Sequence, residues 1–219
     1  IRIIDPLTSE ERPRFRQFLH SIYRFKDKGE IDLERLLDKN TYFAAIMLAT
    51  SQADAMVAGA NSQASSSLRP LLQVIPFQNK NKLISSLNIF DLEDQTTGQD
   101  KELFLADCAV VPEPSIEQLA QIAINTAALS YQLTNKKPKV AFLSYSSQSI
   151  GKDSHAPIQK MKAATQLAKQ LAKSISIDMD IDGELQLDAA LDPRVAENKS
   201  LSGSVAGNAN VLIFPDLQS

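Results

Sequence analysis

Apolar and polar positions along this chain switch repeatedly between the 3.6-residue period of a helix and the short apolar runs of strands. Ile1 to Ile4 predicts a strand, closed by Asp5-Pro6. Thr8 or Ser9 then caps a helix with Phe15, Phe18, Leu19 and Ile22 on one face, ended by Lys26-Asp27-Lys28-Gly29. Leu33, Leu36 and Leu37 mark a second helix. Tyr42, Ala45, Ile46 and Ala49 mark a third, which leads into a short buried strand at Ala55 to Ala58. A helix opening near Ser66 carries Leu68, Leu71, Leu72 and Ile75 as far as Pro76.

Beyond Pro76 the texture changes to polar Gln78 to Lys82, followed by strand candidates at Leu83 to Phe90 and Leu103 to Asp107. Asp91 to Lys101 between them is acidic and turn-like. A domain boundary is therefore placed near residue 78, with one domain over 1–78 and a second over 79–219. Leu103 to Val111 is nearly all apolar, as a strand covered on both faces should be. Ser115 followed by Gln118 is a capping-box signature, and Ile116, Leu119, Ala120, Ala123 and Ala127 follow at helical spacing. Val140 to Leu143 predicts a strand, and Pro157 opens a helix with Ile158, Met161, Ala164, Ala168, Leu171, Ala172 and Ile175 on its inner face. Ile177 to Ile181 and Leu185 to Leu187 are strand-like with a break at Asp182-Gly183, and Val211 to Phe214 is the last strand. Alternating strands and helices favour parallel α/β layers.

Composition narrows the function classes. Hydrophobic residues at 43% and charged residues at 22% are globular values, and 219 residues bury a substantial core. A net charge of −3 gives no electrostatic case for nucleic acid or an anionic membrane. No apolar run approaches the ~20 residues of a membrane span. Cys108 has no second cysteine to pair with, which suits a reducing, cytoplasmic compartment. At the end of an apolar strand, it reads as a core residue.

Two polar loops follow strands and stand out chemically. In DAMVAGANSQASSSLRP (Asp54 to Pro70), Gly59 permits a sharp turn, and Ser62, Ser65, Ser66 and Ser67 offer hydroxyls without bulk. The helix start beyond them favours an anion, and Arg69, one turn in, presents a planar fork suited to phosphate or carboxylate. A plain strand-to-helix connection accounts for the same residues as caps and surface charge. The second loop carries Ser144, Ser146, Ser147 and Lys152. Metal ligands are poorly represented, and neither a Gly-rich dinucleotide motif, a Walker motif nor a G-x-S-x-G elbow occurs. The carboxylates of Ile177 to Ile181 are read as the outer face of an alternating strand, with Asp182 and Glu184 set apart beside a Gly turn.

Several longer stretches resemble the phosphate acetyl/butyryltransferase (phosphotransacetylase) family: IDGELQLDAALDP (Ile181 to Pro193), SGSVAGNANVLIFPDL (Ser202 to Leu217), FLADCAV (Phe104 to Val110), PSIEQLAQIAI (Pro114 to Ile124), VAFLSYSS (Val140 to Ser147) and SLRPLLQV (Ser67 to Val74). The likeness is best from about residue 103 onward. It implies conversion of acetyl-CoA and phosphate to acetyl phosphate and CoA, without a cofactor beyond CoA as substrate. It also implies a three-layer α/β/α fold with largely parallel sheets, like that of the isocitrate/isopropylmalate dehydrogenases, in two domains with a cleft. Arg69 then matches the family's anion-contacting arginine, with Gly59, Ser65, Ser66, Ser67 and Ser146 as substrate-binding candidates. A homodimer is expected, formed through the second domain at apolar edges near Leu185 to Leu191. Departures accompany the likeness: Ser62 and Ser66 stand where the family has His and Asp, and Phe25 where it has Arg. The family's Ser-Arg pair and catalytic Asp lie beyond FPDL, and a first α/β stretch precedes the position of Ile1. The chain is therefore read as partial, lacking both ends of the catalytic domain and inactive by itself. Two other readings fit the residues: a non-catalytic regulatory and assembly module, as in bifunctional malic enzymes, and a generic phosphate-ligand binding domain.

Overall fold

The computed structural model describes residues 3–77, 83–93, 100–147 and 155–219. The chain divides into two compact units, Ile1–Lys82 and Leu83–Ser219.

The described part of the first unit is helical. It comprises α1 (Arg12–Ser21), a 3₁₀ turn (Tyr23–Phe25), α2 (Glu30–Leu37), α3 (Asn40–Ala49) and α4 (Ala64–Val74). Each helix turns its apolar stripe inward, so Phe15, Leu19, Phe25, Leu33, Leu37, Phe43, Ile46 and Val74 form one core, in which the Phe15 and Phe43 rings lie 4.8 Å apart. Polar ties fix the helix ends: the Arg12 guanidinium donates to the carboxylates of Glu34 and Asp38, joining α1 to α2. Tyr42 of α3 donates its hydroxyl to Gln73 of α4 at 2.5 Å, and Arg24 donates to the Leu72 carbonyl at 3.2 Å.

Two strands expected in this unit are not seen among its described residues. Ile1 and Arg2 lie outside the described residues, and Ile3 and Ile4 form no strand. Residues 55–58 are irregular chain rather than a buried strand, with Val57 99% exposed. A strand needs a partner for its N–H and C=O groups, and the unit has none among its described residues. The apolar run alone was not enough. Helix α4 also opens at Ala64, two residues before the expected start, which puts Ser65 and Ser66 inside its first turn.

The second unit is α/β. Its sheet, in order β1-β2-β5-β3-β4, contains β1 (Leu87–Glu93), β2 (Asp100–Ala106), β3 (Lys139–Leu143), β4 (Asp180–Leu185) and β5 (Val211–Ile213). Strand β1 is antiparallel to β2, and the other three pairings are parallel. Alternate side chains of the strands serve opposite faces. Val140 and Phe142 pack with α5 (Ile116–Thr134) and α6 (Ala156–Ala172), whereas Ala141 and Leu143 pack with Ala190 of α7 (Leu187–Leu191), Val205 and Ala209. A last short helix, α8 (Pro193–Asn198), follows α7.

The expected capping box is present in full: Ser115 Oγ accepts from the Gln118 amide at 3.2 Å, and Gln118 Oε1 accepts from the Ser115 amide at 2.8 Å. At the expected break, Asp182-Gly183, β4 continues, with a shift in its register against β3 just after Gly183. A Cβ on Gly183 would lie 2.6 Å from Phe142 Cβ, so glycine lets β4 and β3 approach instead of separating two strands. Leu187 opens a helix rather than closing a strand. Leu185, Ala189 and Ala190 are buried, and of the apolar edge expected there Leu187 remains at the surface, 47% exposed.

Candidate functional site

Arg69 lies on the sixth residue of α4 and lines a cavity of about 270 Å³ within the first unit, with Lys39, Thr41, Tyr42, Ser65, Ser66 and Pro70. Two helix starts converge there. Lys39 is the N-cap of α3 and Thr41 its second residue, while Ser65 and Ser66 are the second and third residues of α4. Neither helix has a side-chain cap or an acidic residue in its first turn, so the positive ends of both dipoles are left uncompensated. No carboxylate lines the cavity, and among the described residues neither Arg69 nor Lys39 is in an ion pair. Tyr42 forms the buried wall. Burial pushes its phenol above the ordinary tyrosine range, against the pull of Arg69 and Arg24. A small anion suits this cavity by charge, and the volume falls short of the ~300–1,000 Å³ of drug-sized sites.

The expected serines have separate tasks. Ser65 lines the cavity. Ser66 also lines it, but its hydroxyl donates to the Gln63 carbonyl at 2.6 Å. Ser67 is buried, and its hydroxyl lies 3.1 Å from that of Ser62, so this pair fastens the loop to the helix. Gly59 makes the turn at φ +113°, outside the cavity lining. Lys39, Thr41 and Tyr42 were not foreseen. The polar start Lys39-Asn40-Thr41 ahead of an apolar helix was the available signal. Phe25 is sealed in the core, so the position that resembles a family arginine carries no charge; Arg24 beside it is exposed.

Ser146 belongs to the second unit, in the loop after β3, where its amide lies 3.5 Å from Ser144 Oγ. Ser147 Oγ accepts from the Gln186 amide at 2.9 Å, tying that loop to the end of β4. Lys152 lies outside the described residues. Two carboxylates at the same carboxyl end of the sheet are buried. Glu184 is 1% exposed, with Lys162 Nζ 3.8 Å away. Asp107, just after β2, accepts from the amides of Ala109, Val110 and Val111 and from both the amide and hydroxyl of Ser86. Burial alone would raise the Asp107 pKa, yet these donors together hold it below the usual carboxylate range. Cys108, expected in the core, is half-buried, with its thiol donating to the Leu105 carbonyl at 3.0 Å. Among the described residues no helix is long and apolar enough to cross a membrane.

The sequence profile of the family described as phosphate acetyl/butaryl transferase matches residues 1–219, and the chain belongs to that family. A phosphate acetyltransferase from Thermoanaerobacterium thermosaccharolyticum is 40% identical over 220 residues, covering 99% of this chain and 64% of the relative. One from Clostridium acetobutylicum is 39% identical, covering 99% of this chain and 63% of its own length. Among solved structures, the EutD phosphotransacetylase from Staphylococcus aureus superposes with a TM-score of 0.82 at 31% identity, covering 100% of this chain and 63% of that one. A phosphotransacetylase from Streptococcus pyogenes gives 0.79 at 31% identity, covering 99% of this chain and 62% of that one. The chain thus spans about 62–64% of the length of these relatives.

Two expectations are corrected here. The dehydrogenase-like fold gives way to the phosphotransacetylase fold, which these superpositions identify. The expectation that the likeness is best from about residue 103 onward gives way to a family match across residues 1–219, which takes in the helical unit as well as the α/β one.

Proposed function

We propose that this protein is a phosphate acyltransferase that converts acetyl-CoA and phosphate to acetyl phosphate and CoA. The observation that carries the reading is the carboxylate-free cavity where Arg69 meets two uncapped helix starts. Family membership and relatives named phosphate acetyltransferase support it. In the reaction a phosphate oxygen attacks the thioester carbonyl carbon, the C–S bond breaks, and CoA leaves as a thiolate that takes up a proton. Arg69 and the α4 amino end hold the anionic substrate, and positive charge near the reacting carbonyl stabilises its developing oxyanion. No step needs a cofactor beyond CoA itself as substrate. Ser65 is the serine best placed to assist with its backbone N–H.

The test is steady-state acetyl phosphate formation by the Arg69→Ala protein. Loss of one charge-assisted contact, about 1.5–3 kcal/mol, predicts a tenfold to hundredfold weaker phosphate interaction. Arg69→Lys should recover part of it, because an ammonium lacks the bidentate fork. Unchanged constants in Arg69→Ala would remove Arg69 from the site. A second reading, a non-catalytic regulatory module, is favoured by the core position of Phe25 and by the serines at 62 and 66. It requires that the protein bind phosphate without forming acetyl phosphate. A cytoplasmic homodimer belongs to the favoured reading, and Ile89, Phe90 and Leu92 on the exposed edge strand β1 give self-association a physical reason. Light scattering that finds only monomer at micromolar concentration would refute the dimer.

A further inference from the structure

Lys39 faces the same cavity as Arg69, but from a different helix. Its ammonium lies 6.0 Å from the centroid of the Tyr42 ring, at the outer limit of a cation–π contact, so the ring places the charge without consuming it. Among the described residues, no carboxylate neutralises it. The rest of the lining adds donors and no acceptor charge. The Thr41 and Ser65 amides stand at second helical positions, where a backbone N–H has no intrahelical acceptor, and no acceptor serves either among the described residues. Two full positive charges and two helix starts therefore surround one small cavity.

Such a cavity discriminates by charge. A singly charged anion satisfies one cation and leaves the other facing it. A doubly charged tetrahedral anion meets both, with oxygens to spare for the amides. We infer that Lys39 is the second cation of the Arg69 cavity and gives it a preference for doubly charged, phosphate-like anions over singly charged ones. This rests on the reading of the Arg69 cavity as the anion site and names a specificity-determining residue within it. Lys39 acts by touching the anion from the α3 side while Arg69 holds it from α4.

The test uses two probes of fixed charge, sulfate and nitrate, titrated calorimetrically into the full protein and into Lys39→Gln, Lys39→Arg and Arg69→Ala. Lys39→Gln should lose about tenfold in sulfate affinity and only about twofold to threefold in nitrate affinity, so the preference for sulfate collapses. Lys39→Arg should restore the preference. Melting temperatures matching the parent protein exclude a merely structural effect of losing the Tyr42 contact. A Lys39→Gln protein that keeps the parental sulfate-to-nitrate ratio overturns the inference, as does a parent protein with no preference. If Arg69→Ala leaves sulfate binding intact while Lys39→Gln weakens it, the Arg69 reading fails and the paired-cation inference falls with it. If only Arg69→Ala weakens it, the Arg69 reading stands and the Lys39 inference alone is overturned.

Discussion

Replacing Asp107 by Asn should destabilise the second unit by about 2–3 kcal/mol, although the two side chains have nearly the same shape. Asp107 Oδ1 accepts from the Ser86 amide at 3.1 Å, the Ser86 hydroxyl, the Ala109 amide at 3.0 Å and the Val110 amide at 3.2 Å. Oδ2 accepts from the Val111 amide at 2.8 Å. An asparagine must put its NH₂ on one side. The cheaper choice turns it toward Val111, which loses one hydrogen bond to a charged acceptor and leaves a donor facing a donor. Removing that bond costs about 1.5–3 kcal/mol, and weakening the remaining bonds from charge-assisted to neutral adds to it. Relaxation of the 107–111 loop toward water offsets part of the sum.

The measurement is urea unfolding followed by circular dichroism, with amide exchange at Ala109, Val110 and Val111 as the local readout. Faster exchange at all three amides is expected. The acid dependence carries a second check. The folded-state pKa of Asp107 lies below the ordinary value, so its stabilisation is fully present above the unfolded-state pKa of ~3.9 and is lost as pH falls through the folded value. The gap between parent and variant should therefore be constant above about pH 5 and narrow in stronger acid. A variant within 0.5 kcal/mol of the parent at neutral pH, about the scatter of ordinary surface substitutions, would refute the reasoning.

Three further outcomes follow from the packing. Gly207→Ala places a Cβ 2.5 Å from the Pro193 Cα at a backbone φ of +74°, so both crowding and strain oppose it; a loss of more than about 2 kcal/mol is expected in denaturant melts, and a neutral result would mean that α8 moves freely. Ser115→Ala removes one half of the α5 capping box and should cost about 1 kcal/mol, with Ser115→Asp close to neutral in the same assay. Phe15→Ala empties the centre of the helical core and should cost about 3–5 kcal/mol, read as early loss of helical circular dichroism from the first unit.

What the sequence determined by itself was what short-range geometry controls. The helix starting at Ser115 was legible because its cap and apolar spacing lie within a few residues of each other. The runs at 103–106 and 140–143 were legible as covered strands because nearly every side chain in them is apolar. The place of Arg69 within a helix with a serine-rich start was legible because that spacing is a local fact. The apolar stretch at 55–58 misled, because pairing requires a neighbouring strand and the composition of four residues says nothing about one. The β4 strand was misread as broken at Gly183, because the use of that glycine lies across the sheet at Phe142. Glu184 gave no local sign of its contact with Lys162, and for Asp107 the local amides of residues 109–111 are joined by donors from Ser86, twenty-one residues earlier in the chain. Lys39 reaches the Arg69 cavity only because Tyr42 and Gln73 fasten α3 against α4. A side chain's partners in a site are set by contacts between distant segments, and only the folded chain brings those segments within hydrogen-bonding distance.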